Sequence, residues 1–133
     1  MAFVHGKGTV FKLNGVDLSP FCKTSEVTVA ADEHDVTGYG AAGHAYQGGL
    51  ENDKVTVSGT YDSGVTGPRK VIRPLIGTVV PFLRQSEGVG SGKPQDTGNV
   101  HVKTYVETNP VADMIQWSAE LTVSGTVNSA AQP

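Results

Sequence analysis

With a single cysteine, Cys22, the 133-residue chain has no internal disulfide to build, and nothing in it points to an oxidising compartment. Charge is also scarce. Asp, Glu, Lys and Arg make up 17% of the chain, against about 25% in an ordinary domain. The net charge is −3, and the clustered lysine and arginine of a nucleic-acid binder are missing. Arg69, Lys70 and Arg73 come close together on one turn and read as a solvated surface. No apolar run approaches the ~20 residues of a membrane helix. Met1 to Lys7 hold no apolar stretch of the signal-peptide kind, which predicts a protein made and used in the cytoplasm unless a larger assembly carries it out.

Patterns that carry chemistry are equally thin. His5, His34, His44 and His101 form no HExxH or HxH arrangement, and Cys22 has no cysteine partner for zinc. Asp32-Glu33-His34-Asp35 is the densest ionisable cluster, but adjacent residues rarely converge on one cation, so a solvated strand end or loop is expected. Gly88 to Lys93 superficially resembles a phosphate loop. That pattern needs glycine where Glu87 stands and Ser or Thr where Pro94 stands. No GxSxG elbow is present. An enzyme is therefore not expected, nor a metal or cofactor.

What the chain has in quantity is glycine and proline, 17 and 7 residues, which suit many turns and short strands. Period-two alternation predicts strands at 9–13, 25–30, 54–61, 78–83, 99–106 and 114–127. Asn14-Gly15 is a hairpin turn signal. Pro81 confines the fourth strand to an edge or makes it a strand end. On the last strand Trp117, Ala119, Leu121 and Val123 share one face, which is expected to point into the core. The run from Val55 to Thr60 is echoed from Leu121 to Thr126, which suggests two similar strands in equivalent sheet positions.

One stretch departs from this period. Between Pro68 and Gly77, Val71, Ile72, Leu75 and Ile76 are spaced for one amphipathic helix, with Pro68 in its first turn and Gly77 at its end. Pro74 keeps it short or kinks it. The expected fold class is thus mainly β: a β-sandwich or barrel with one short flanking α-helix, as a single domain over 1–133. Long loops are expected at about 32–53 and 85–98, the second flexible and on the surface.

The order of short motifs adds a resemblance. His5-Gly6-Lys7, Asn14 to Ser19, Val36-Thr37-Gly38-Tyr39-Gly40, Tyr46 to Asn52, Val57 to Asp62 and Trp117 to Gly125 follow one another as in the tail tube (major tail) proteins of tailed bacteriophages. The chain resembles that family of small virion proteins from about residue 5 to residue 127. It departs where Tyr39 replaces Phe, and where Pro74 interrupts a stretch usually rich in Ala and Leu.

The resemblance implies a β-sandwich with a flanking helix, and a tail tube subunit that forms hexameric rings stacked into a DNA conduit. It implies a place in the virion and contacts with itself and with other virion proteins. DNA would pass without being held, and the acidic balance suits that role. The alternative is a head decoration or minor capsid protein. The 32–53 segment, rich in Gly and Ala and carrying two tyrosines, is the candidate assembly loop. Glycine admits a close neighbour, and tyrosine offers contact area with a polar tip. The candidate subunit-interface residues are Tyr39, Gly40, His44, Tyr46, Gly48 and Leu50.

Overall fold

Alternation of small polar and branched apolar residues produces strands throughout a computed structural model that describes residues 3–133. Strand β1 (Val10–Leu13) turns at Asn14-Gly15 into β2 (Val16–Asp17). Both turn residues have positive φ, 52° and 81°, the geometry that a tight hairpin demands. The chain then runs through a 3-10 turn (Ser19–Phe21), β3 (Cys22–Thr28), β4 (Ala31–Asp35), β5 (Tyr46–Glu51) and β6 (Lys54–Thr60). After the helix α1 (Pro68–Ile72) come β7 (Val79–Gln85), β8 (Pro94–Thr108), β9 (Gln116–Val123) and β10 (Asn128–Ala131). Among the described residues, no helix is long and apolar enough to cross a membrane.

Eight strands make one antiparallel sheet in the order β2-β1-β7-β8-β9-β6-β3, with β10 paired to the start of β8. The sheet folds over itself. Phe11, Leu13 and Phe82 of one half join Val55, Val57, Trp117 and Leu121 of the other in a single core. The two ends of the strand order, β2 and β3, do not pair, so the sheet stays open. Trp117, Ala119, Leu121 and Val123 are all buried, as the face rule predicts. β6 and β9, which carry the sequence echo, are direct neighbours with Val55 opposite Leu121.

The helix is short because Pro74 has no N–H for the α ladder. The chain tightens into a 3-10 turn (Arg73–Leu75) and leaves through Gly77 at φ 85°. Ile72 is buried, and Val71 and Leu75 pack on the core. The exposed side of α1 is tied down by one network, in which Arg69 Nη1 (3.1 Å) and Tyr105 Oη (3.0 Å) both donate to Glu107.

Three expectations need correction. Pro81 lies not at an edge but in a strand flanked by β1 and β8. Its carbonyl accepts the Asn14 N–H at 2.8 Å, so the side from which its own N–H is missing faces the point where β1 turns away. The 85–98 stretch is no flexible loop. Gln85 ends β7 and Pro94 begins β8, and the turn between them is clasped by buried Gln132, which donates to Gly88 O (2.7 Å) and accepts from Gly90 N–H (3.0 Å). The 32–53 stretch is largely strand, because β4 and β5 pair as a separate two-stranded sheet.

Candidate assembly surface

Residues 29–52 are all exposed. The segment is an arm, and its order has to come from its own hydrogen bonds and from its root. At the tip, the Thr37 N–H (2.9 Å) and hydroxyl both donate to Asp35 Oδ1, and the Ala45 N–H donates to Thr37 Oγ1 at 2.8 Å. His44 Nδ1 lies 3.5 Å from Asp35 Oδ2, and its ring lies 6.1 Å from that of Tyr46. These hydrogen bonds, led by the Thr37 hydroxyl, hold the Asp35 carboxyl below the usual carboxylate range.

The root is Asp53, which is buried. Its Oδ1 accepts the Ala30 N–H (3.0 Å), its Oδ2 accepts the Val127 N–H (3.3 Å), and its carbonyl accepts the Val123 N–H (3.0 Å). The carboxylate thus ties the start of the arm at Ala30 to Val127, between β9 and β10, while the Asp53 carbonyl holds the end of β9. Sequence reading treats Asp53 only as a loop boundary. The one available signal is a carboxylate placed just before a strongly alternating strand. Glu51, next to this root, is pushed above the usual carboxylate range, first by a hydrogen bond with Asp53.

All six candidate interface residues lie on the arm. Tyr39 and Gly40 are at the tip, His44 is on the return, and Tyr46, Gly48 and Leu50 are on β5. Tyr39 is fully exposed, Leu50 is 81% exposed and Tyr46 is 55% exposed. The β4–β5 register places Asp35 opposite Tyr46, Glu33 opposite Gly48 and Ala31 opposite Glu51. Directly opposed residues share a face, and a register shift between Ala31 and Glu33 brings Glu51, five residues after Tyr46, onto the same face, so Glu33, Asp35, Glu51 and Tyr46 form one side. A side chain at Gly49 would meet Asp32 and His34, which mark the other side. Alternation therefore splits the ionisable cluster between two faces. Among the described residues, no group of three or more His, Cys, Asp or Glu side chains is placed to hold a metal.

No family model matches the chain, and no curated protein matches it in sequence. Solved structures do share its fold. A chain from the virion of a native gene transfer agent particle aligns with 97% of this chain and 100% of its own, at a TM-score of 0.78 and 14% identity. A chain from the tail of an empty gene transfer agent particle, refined with C6 symmetry, aligns over the same shares at 0.75 and 15%. The SPP1 tail tube aligns with 98% of this chain and 80% of its own, at 0.79 and 16%. The fold is therefore the one found in tail tube proteins.

Proposed function

We propose that this chain is a tail tube subunit of a phage-like particle, joining copies of itself into rings that stack as a hollow conduit for DNA. The observation that carries the reading is the fold match over nearly the whole chain to a component of a virion and to components of assembled tails. The six-fold symmetry stated for one of those tails supports hexameric rings. The arm supports it independently. A two-stranded hairpin is at best marginally stable alone in water, and ordering each residue costs about 1–2 kcal/mol. Contacts of Tyr39, Gly40, His44, Tyr46, Gly48 and Leu50 with a neighbouring subunit would offset that cost. The net charge of −3 suits a conduit that must not hold its DNA. The reading gives the chain a place in the virion and no chemistry of its own.

Electron microscopy of the purified protein tests the proposal. Rings or tubes are the expected result. Small discrete oligomers that bind capsids would overturn it in favour of a head decoration protein.

A further inference from the structure

No lysine or arginine occurs between Lys23 and Lys54. The Asp and Glu carboxylates of the arm are therefore matched by no Lys or Arg on it, and one of its faces carries Glu33, Asp35 and Glu51 along its length, with Tyr46 opposite Asp35 and Glu51 opposite Ala31. A partner surface must then be cationic and offer some apolar area. The chain itself carries such a surface, and it uses the basic turn that composition assigns to solvent. Arg73 and Ile76 after α1, with Lys103, Thr104, Tyr105 and Glu107 of β8, line a shallow pocket of about 400 Å³. Arg69 is neutralised there by Glu107 at 3.1 Å. Lys70, Arg73 and Lys103 are exposed and make no ion pair among the described residues. Ile76, 42% exposed, supplies an apolar wall.

We propose that this basic pocket between the end of α1 and β8 is the seat for the acidic face of the β4–β5 arm of a second copy of the chain. The inference rests on the tube reading in taking a second copy as the occupant. An arm on one surface and its seat on another allow a heterologous contact, which builds a ring where the rotation closes and an open stack where it does not. Facing charges of opposite sign also fix the register of such a contact and reject like-charged alternatives. A second basic concavity, between β1 and β3, is lined by Lys7, Lys23 and Arg84. It lacks an exposed large apolar wall, and its Arg84 is engaged with Ser25 and Ser86.

The test is reciprocal charge reversal on the full chain, read by sedimentation and electron microscopy. Glu33→Lys with Glu51→Lys reverses the arm, and Arg73→Glu with Lys103→Glu reverses the seat. All four side chains are exposed, so far-UV dichroism should not change. Each pair alone should raise the concentration needed for assembly by about tenfold or more, and a mixture of the two variants should recover it. Glu33→Gln with Glu51→Gln, which should weaken assembly without reversing charge, replaces the arm pair should that pair not fold. Assembly indifferent to the seat reversal overturns the inference and leaves the tube reading standing. So does recovery of the arm variant by Lys7→Glu with Lys23→Glu. Small oligomers in place of tubes that still respond to both reversals keep the inference and overturn the tube reading. A wild-type chain that stays monomeric overturns both.

Discussion

Cys22 sits half-buried against the core, and its thiol is pushed up to about 11, first by burial and then by the Asp17 carboxylate. A rise of about two units leaves roughly a hundredfold less thiolate at pH 8. A thiolate of higher pKa is also the stronger nucleophile, so iodoacetamide should label the native protein about tenfold or more slower than the urea-unfolded chain. Equal rates would mean that the thiol is open to solvent. Gly59 is held by a different constraint. A Cβ there would lie 1.8 Å from Phe21 O, the same carbonyl that accepts the Trp117 indole N–H at 3.2 Å. The glycine lets the 3-10 turn cross β6 closely enough to satisfy the indole. Leu121, 1% exposed, packs in the same core. Its truncation to Ala should cost about 2–5 kcal/mol in urea unfolding, and a loss below about 1 kcal/mol would place that face outside the core.

The arm and the rest of the sheet are ordered in different ways. β6 and β9 bury one face each, so packing holds them. β4 and β5 bury neither, and they depend on the Asp35–Thr37–His44 hydrogen bonds and on Asp53. Deleting Gly38 to Gly49 should therefore leave the domain folded, with near-normal far-UV dichroism and melting temperature. Rings and tubes should be lost. Normal assembly of the deleted chain would make the arm dispensable, and failure to fold would make it part of the folding unit.

Across the whole molecule, one sheet has to stay folded over without closing. Apolar burial drives the halves together, and Arg84 ties them directly. Its Nε donates to Ser25 Oγ (3.1 Å) and its Nη2 to Ser25 O (3.2 Å), joining β7 to β3 across the fold. Asp96 lies 3.9 Å from the same guanidinium. Arg84→Met keeps most of the stem's packing and removes these bonds. The expected cost is about 1–3 kcal/mol, with faster hydrogen exchange at the β3 amides. Unchanged β3 exchange would show that the core alone holds the two halves together.

The amino-acid order by itself determined the elements whose one face is buried. Alternation marked β6, β9 and the middle of β8, Asn14-Gly15 marked its hairpin, and the 68–77 spacing marked a helix that Pro74 keeps short. Such signals are local, because a strand or helix with one apolar face writes that face into its own period. The arm strands have no face to bury, so they carry no period, and the polar start of β8 is strand because β7 and β10 flank it. The six candidate interface residues were legible as a Gly- and Tyr-rich segment. The division of the Asp32–Asp35 cluster between two faces, the anchoring of the arm by Asp53 to Ala30 and Val127, and the meeting of Arg84 with Ser25 were decided only by the tertiary structure. These contacts join residues 23 to 74 positions apart. No local pattern encodes such a distance, because the register that closes it is set by how the whole sheet folds over its core.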